Sequence, residues 1–139
     1  MTKITKGIKQ LCAEAEAEIE TLTAEQAIAL ANDPQVQLVD IRDVRELWRD
    51  GGIPGAHHAP RGMLEFWVDP DSPYARELFQ SGKKFVFLCA GGLRSALATK
   101  AVQDMGLTPV AHIQGGFGAW KEKGGPIVPI EQKAPPAKK

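Results

Sequence analysis

The segment Phe85-Val86-Phe87-Leu88-Cys89-Ala90-Gly91-Gly92-Leu93-Arg94-Ser95 decides the fold of this chain. Its first four residues are continuously apolar, which is typical of a strand in a parallel sheet that is covered on both faces. The glycines then predict a tight loop, and residues 94–105 have the apolar spacing of a helix that stops at Gly106. We therefore expect a buried strand that delivers Cys89 into a short loop, with a helix directly after it.

Strands and helices alternate on both sides of this segment. We expect strands at residues 36–41, 56–59, 85–88 and 110–113. We expect helices at residues 3–20, 24–31, 44–48, 63–67, 74–80, 94–105 and 117–123, with Thr23 as the N-cap of the second. This alternation predicts an α/β fold with a mostly parallel sheet. Ligands bind such sheets beyond the carboxyl ends of the strands, where Asp40 with Arg42 and Cys89 with its loop both fall.

Composition and charge exclude several classes of function for this chain of 139 residues. Its 17 basic and 17 acidic residues balance, so net charge does not indicate a nucleic acid or a membrane surface as partner. No apolar run approaches a bilayer span, and the first six residues do not resemble a secretory signal. We expect a cytoplasmic protein with an N-terminal helical extension (1–21), a core domain (22–128) and a Pro/Lys-rich tail (129–139) that is extended or disordered at its end.

The two cysteines lie in different contexts, and two are too few for a disulfide scaffold. Cys12 lies in a helical stretch, where a packing or surface role is expected. Cys89 opens a loop in which Gly91 and Gly92 allow backbone N–H groups to converge in front of a helix N-terminus. Such a cradle stabilises a thiolate, and it could equally hold the terminal sulfur of a persulfide, without a metal or an organic cofactor. The alternative is an inert buried cysteine with glycines that only make a turn.

Four ordered motifs resemble those of the rhodanese family of sulfurtransferases. They are Leu38-Val39-Asp40-Ile41-Arg42, Gly52-Ile53-Pro54-Gly55-Ala56-His57-His58-Ala59-Pro60, the Cys89 loop, and Gly115-Gly116-Phe117-Gly118-Ala119-Trp120 with Gly125-Pro126-Ile127. Together they cover about residues 22–128. The resemblance implies a central five-stranded sheet flanked by helices on both faces, and it implies that Cys89 forms a persulfide.

The chain departs from the family pattern at two places. The length of its cysteine loop also bears on whether the chain is a sulfurtransferase or a phosphatase. Gly52 stands where the family often has histidine, a position we expect to be structural. Ala90, Gly91 and Gly92 stand where the best-studied thiosulfate enzymes often place a cation, which argues against a strong preference for thiosulfate. Phosphatases and arsenate reductases of the same fold resemble each other in a Cys-x5-Arg loop. The shorter Cys-x4-Arg spacing from Cys89 to Arg94 favours a sulfurtransferase over them.

The residues around Cys89 receive provisional roles. We predict that Cys89 is the catalytic nucleophile and that the substrate is bound by Ala90, Gly91, Gly92, Leu93, Arg94, Ser95 and Arg42, of which Arg42 matches a family position that helps bind the anionic donor. Arg94 could instead tie the loop to the body through a carboxylate, Arg42 could form a surface salt bridge, and Ser95 could cap the helix. Asp40 is predicted to be a structural support for the loop.

Aromatic and histidine residues complete the set of candidates. Phe66, Trp67 and the Arg61-Gly62 pair could border the pocket, although core or rim packing explains the aromatics equally well. His57 and His58 are adjacent on an extended segment and point to opposite faces, so we expect no metal site.

The predicted reaction has two half-reactions, in which the Cys89 thiolate takes sulfur from a donor such as thiosulfate and an acceptor such as cyanide or a thiol removes it. Small sulfur donors and acceptors are the expected partners, with a protein donor or acceptor as a further possibility. One alternative is a persulfide carrier that serves a partner protein. A silent interaction domain is disfavoured by the intact Cys89 loop.

Overall fold

The computed structural model describes residues 2–132 and contains one five-stranded sheet. Its strands are β1 (Glu20–Leu22), β2 (Val36–Asp40), β3 (His57–His58), β4 (Lys84–Leu88) and β5 (Val110–Ile113). They lie in the order β1-β5-β4-β2-β3, and every neighbouring pair is parallel. The α/β fold with a five-stranded parallel sheet is therefore confirmed.

Within residues 2–132, six α-helices precede, connect or follow the strands. They are α1 (Ile8–Glu18), α2 (Ala24–Leu30), α3 (Val44–Asp50), α4 (Leu64–Val68), α5 (Leu93–Asp104) and α6 (Gly116–Glu122). The predicted N-cap at Thr23 is confirmed, because its hydroxyl accepts from the backbone N–H of Gln26, whose side chain accepts from the backbone N–H of Thr23. Asp43 and Glu46 form the same capping box on α3.

The central strand β4 separates two hydrophobic cores because its side chains alternate between the faces of the sheet. Phe85 and Phe87 pack in the core that contains residues of α4 and α5. Val86 and Leu88 pack in the core that contains residues of α2 and α6. Helix α1 lies against α5 and so extends the first of these layers. Both faces of β4 are thus covered, as its continuously apolar sequence predicts.

The prediction of one helix over residues 3–20 is wrong at both ends. The helix starts only after Gly7, whose backbone is extended, and it ends before Ile19, which is also extended. Residues 20–22 then form β1, which pairs with residues 111–113 of β5. The hydrogen bonds of this ladder come from a distant part of the chain, and local helix propensity could not reveal them.

The predicted helix at residues 74–80 is reduced to a 3₁₀ turn at Glu77–Gln80. Tertiary hydrogen bonds hold the preceding segment open, because the N–H of Arg76 donates to the carbonyl of Trp67 at 2.9 Å. The side chain of Gln80 donates to the carbonyl of Val68 at 2.9 Å. The segment is therefore fastened to α4 instead of coiling on itself.

The predicted tail begins within the described region, where Val128 and Gly52 exchange backbone hydrogen bonds of 2.8 and 2.9 Å. Residues 133–139, on which the prediction of an extended or disordered end falls, lie outside the described residues. Across residues 2–132, none of the helices combines the length and apolar character that crossing a bilayer requires.

Candidate active site

Cys89 lies at the carboxyl end of the central strand β4, almost fully buried beneath the loop that it opens. Its Sγ atom accepts hydrogen bonds from the backbone N–H of Gly92 at 3.1 Å and of Ser95 at 3.4 Å. The Ser95 N–H belongs to the first turn of α5, where N–H groups have no partner within the helix. The loop therefore turns two backbone donors toward the sulfur, an arrangement that stabilises negative charge there.

The conformation of the loop depends on a glycine at position 92. Gly92 has a φ of 98°, and a Cβ atom at this position would lie 3.0 Å from the backbone nitrogen of Gly115. Only a residue without a side chain fits both the left-handed backbone and the close approach. Gly92 thus allows its own N–H to point at Cys89 Sγ.

The N-terminus of α6 holds the loop from behind. Phe117 N–H donates to the carbonyl of Cys89 at 2.8 Å, and Gly118 N–H donates to the carbonyl of Ala90 at 3.1 Å. A Cβ atom on Gly116 would lie only 2.2 Å from the carbonyl oxygen of Cys89. Gly116 is therefore required by the direct contact between α6 and the cysteine loop.

Between Cys89 and Arg94 the exposed surface of the loop carries no charge. Ala90, Gly91 and Leu93 are exposed, and Leu93 is 57% accessible. Gly92 and Ser95 are buried, with their N–H groups against the sulfur. The loop residues that were predicted to bind the substrate are thus brought together, but in two layers: donors inside and small or apolar groups outside.

Arg94 is engaged by a carboxylate from another element. Its Nη1 and Nη2 donate to Oε2 and Oε1 of Glu46 at 2.8 and 2.9 Å. The Arg94 guanidinium lowers the pKa of Glu46 from 4.5 to about 2, and Glu46 in turn raises the pKa of Arg94. The predicted alternative, in which Arg94 ties the loop to the body through a carboxylate, is the one with an observed partner; substrate binding by Arg94 stays a prediction.

Arg42 forms a second, deeper ion pair. Its guanidinium donates to Asp40 through Nε at 3.0 Å and Nη2 at 2.7 Å, and Nη2 also donates to the carbonyl of Gly51 at 2.8 Å. The Cζ atom lies 4.1 Å from the ring centroid of Phe117. The alternative of a surface salt bridge is wrong, because Arg42 is only 1% exposed. Asp40 thus contacts Arg42, Arg42 lies over Phe117, and the backbone N–H of Phe117 donates to the carbonyl of Cys89. The support of the loop by Asp40 stays a prediction.

The predicted border residues have other neighbours. Phe66 packs edge-on against Tyr74, and Trp67 lies beneath the guanidinium of Arg76. The two histidines also find separate neighbours, because His57 packs against Trp67 and His58 Nε2 lies 2.7 Å from the carbonyl of Arg42. Arg61 pairs with Glu65, one turn further along the chain.

Two residues near the loop were missed by sequence reasoning. Glu46 appeared only as part of a short helix, and its contact with Arg94 joins α3 to the loop. His112 is buried in β5, and its Nδ1 lies 3.0 Å from Ser95 Oγ. A histidine within the apolar run at residues 110–113 was the available signal.

Comparison with known proteins identifies relatives along most of the chain. The family model for the rhodanese-like domain matches residues 23–123. The candidate sulfurtransferase YtwF of Bacillus subtilis is 31% identical over 75% of this chain and 89% of its own length. The thiosulfate sulfurtransferase GlpE of Shewanella oneidensis is 29% identical over 73% of this chain and 91% of its own.

A solved structure from Rhodopseudomonas palustris is 62% identical to this chain, with a TM-score of 0.89. The match covers 92% of this chain and 98% of that protein, which is described as of unknown function and a possible tyrosine phosphatase. The two relatives from Bacillus subtilis and Shewanella oneidensis are thus described as sulfurtransferases, and a phosphatase is named only as a possibility for the third protein.

Proposed function

This chain belongs to the rhodanese-like domain family, and on that premise we propose that it moves sulfane sulfur through a persulfide on Cys89. The observation that carries the proposal is the convergence of the Gly92 and Ser95 N–H groups on Cys89 Sγ. Fixed backbone donors stabilise a charged sulfur without having to reorganise during the reaction.

The first half-reaction loads the cysteine. The Cys89 thiolate attacks the outer sulfur of thiosulfate, a sulfur–sulfur bond forms at Sγ, and the bond between the two donor sulfurs breaks to release sulfite with its electron pair. The product is a Cys89 persulfide anion, so charge is conserved. The terminal sulfur is then the atom that the loop donors must stabilise.

The second half-reaction returns the cysteine to its starting state. A nucleophile such as cyanide attacks the terminal sulfur, thiocyanate leaves, and the bonding pair returns to Sγ as a thiolate. Separate loading and unloading steps predict ping-pong kinetics. Neither step needs a metal or an organic cofactor.

The charge around the loop bears on the choice of donor. Ala90, Gly91 and Leu93 offer no cation to a thiosulfate dianion, and the Arg94 charge is shared with Glu46. A donor with less negative charge, such as a protein persulfide, suits this surface better. We therefore propose, as a second form of the same activity, a carrier that exchanges sulfur with a partner protein. The proposed location is the cytoplasm.

A phosphatase is the rival function, because the Rhodopseudomonas palustris relative is described as a possible tyrosine phosphatase. The Cys-x4-Arg loop is one residue shorter than the Cys-x5-Arg loop of phosphatases of this fold. Glu46, held against Arg94, would also repel a phosphate dianion at the mouth of the loop. These two features favour sulfur transfer.

The deciding experiment is the intact mass of the reduced protein after incubation with thiosulfate or with an organic persulfide. We expect a gain of one sulfur atom, its loss on addition of cyanide, and no gain in Cys89→Ser. Cys12→Ala is the matched control, and it should gain the same mass as the wild type because Cys12 faces away from solvent in α1.

The opposite result has a clear meaning. If neither donor adds sulfur while a phosphate monoester is hydrolysed in a Cys89-dependent manner, the sulfurtransferase proposal is wrong and the phosphatase assignment replaces it. Transfer from a protein persulfide alone would select the carrier form.

A further inference from the structure

A chain of polar side chains leads from Cys89 into the protein, away from the solvent side of the loop. The Cys89 thiol donates to Ser95 Oγ at 3.6 Å, and Ser95 Oγ lies 3.0 Å from His112 Nδ1. Beyond the ring, His112 Nε2 lies 3.8 Å from Oε2 of Glu16 on α1. The sulfur-transfer steps above assign no role to Ser95 Oγ, His112 or Glu16.

His112 is costly where it lies. The residue is 1% exposed, on the face of β5 that packs toward α5. Among the described residues, its Nε2 atom has no hydrogen-bond partner, since 3.8 Å to Glu16 is too long for one. A buried polar atom without a hydrogen bond lowers the stability of the folded protein, which points to a role other than packing.

The positions of the protons follow from the charges around the ring. Glu16 faces Nε2, so the neutral imidazole carries its proton there and leaves Nδ1 free to accept. The Ser95 hydroxyl then donates to Nδ1, and its oxygen accepts from the Cys89 thiol. Burial lowers the pKa of His112, and Glu16 partly offsets this.

We propose that His112 is a positioning residue that takes the proton of Cys89 through Ser95, with Glu16 stabilising the imidazolium that forms. The proposal rests on the function proposed above, because it adds residues to the same site. It follows the arrangement in which a nucleophile is joined to a base and the base is oriented by a third group.

The proton transfer is balanced along the chain. The S–H bond of Cys89 breaks as its proton reaches Ser95 Oγ, while the original hydroxyl proton moves to His112 Nδ1, and the electron pair stays on Sγ. The result is a thiolate and an imidazolium, with no net change in charge. Both hydrogen bonds are then reversed: Nδ1–H donates to Oγ, and the Ser95 hydroxyl donates to the sulfur, as a thiolate or a persulfide anion requires.

The charged and titratable neighbours of His112 are few. From α1 comes Glu16. Cys12, one turn before Glu16, has its pKa raised by burial, and its thiol donates to the carbonyl of Leu93 at 3.6 Å. From α5 comes Ser95. Arg94 on the same helix pairs with Glu46, and its pKa is raised mainly by Glu46 and also by Cys89, so its charge acts on the sulfur as well. The strand neighbours of His112 in register are Thr21 and Phe87, neither of which titrates in this range.

Helix α1 therefore has a function in this proposal. It lies outside residues 23–123, which match the family model, yet it supplies the carboxylate at the end of the chain. Its Cys12 thiol also contacts the loop through the carbonyl of Leu93. The N-terminal extension thus becomes part of the active site.

The test is the pH dependence of Cys89 alkylation by iodoacetamide, followed through the mass of the Cys89 peptide across about pH 5 to 9. In His112→Asn, whose amide can still bond Ser95 but cannot be protonated, the half-maximal pH should rise by about one unit, a tenfold slower reaction near neutrality. Ser95→Ala should give a similar rise, and Glu16→Gln a smaller one. The absorbance of the thiolate, measured in a Cys12→Ala background, follows the same titration and does not depend on how well iodoacetamide reaches Cys89.

Glu18→Gln is the matched control, because Glu18 is on the same helix and pairs with Lys100 instead of His112. It should leave the profile unchanged. A wild-type profile in folded His112→Asn overturns the proposal, and if that variant does not fold, an unshifted Ser95→Ala overturns it equally. Alkylation needs no sulfur donor, so the two proposals can fail separately. If the protein forms a persulfide but the alkylation profiles of the variants are unshifted, only the proton relay is rejected. If the profiles shift but no persulfide forms, only the sulfurtransferase proposal is rejected.

Discussion

The two arginine–carboxylate pairs beside the loop consist of the same chemical groups but lie in different surroundings. Arg42 and Asp40 are 1% and 2% exposed, so their charges have lost nearly all contact with water. The side chains of Arg94 and Glu46 are 42% and 18% exposed, at the rim of the site. Removing one partner from a buried pair leaves an isolated charge in a poorly polarisable interior, whereas solvent compensates such a loss at the rim. We infer that the first pair maintains the fold and that the second can adjust the chemistry.

The largest expected effect comes from breaking the buried pair. Asp40→Asn keeps the shape of the side chain but leaves Arg42 without a counter-charge, so the free energy of unfolding should fall by about 3–5 kcal/mol. Denaturation in urea measures the change. Asp50→Asn, in the exposed pair with Arg49, is the control and should leave the midpoint unchanged. Equal shifts in the two variants would remove the distinction between buried and exposed pairs.

A smaller effect is expected at the rim pair. Glu46→Gln keeps the capping box on α3 but frees the Arg94 charge for an anionic donor. The KM for thiosulfate should fall roughly two- to five-fold, in line with the modest energy of an exposed ion pair. Glu20→Gln, whose pair with Lys84 is at the amino ends of the strands, is the control. An unchanged or higher KM in Glu46→Gln would show that Arg94 holds the loop in place and does not bind the donor.

The smallest effect concerns acid stability. The pKa of Glu46 is lowered from 4.5 to about 2, mainly by its hydrogen bonds to Arg94. A carboxyl with a lowered pKa in the folded state contributes stability above its unfolded value, and this is lost as the pH falls from about 4.5 towards 2. The difference in unfolding midpoint between the wild type and Glu46→Gln should therefore shrink across this window. If the difference in unfolding midpoint does not vary with pH, the lower stability of Glu46→Gln comes from packing and not from the charge of Glu46.

Much of the fold followed from local patterns. The apolar run ending at Leu88, the loop glycines and the start of α5 were all predicted within one or two residues, because each depends on neighbouring residues. Strand β1 was missed because three residues carry no periodic signal, and its partner β5 is far away in sequence. The helix expected at residues 74–80 failed because its hydrogen-bond partners belong to Trp67 and Val68.

The site divides in the same way. Cys89 and the short loop before Arg94 were visible in sequence, because the reacting group and the number of residues in the loop are properties of the primary structure. The contacts of Glu46 and His112 were not visible, because no motif links them to the residues that they meet.

The sequence by itself determined a parallel α/β fold, a cysteine at the end of its central strand and a glycine-containing Cys-x4-Arg loop. These depend on apolar periodicity and on glycine positions, which act locally. Only the tertiary structure decided that Arg42 is buried against Asp40, that Arg94 is held by Glu46 and that Glu16 faces His112. The energy of a charge depends on its distance to other charges and to water, and folding sets both distances between residues that are remote in the chain.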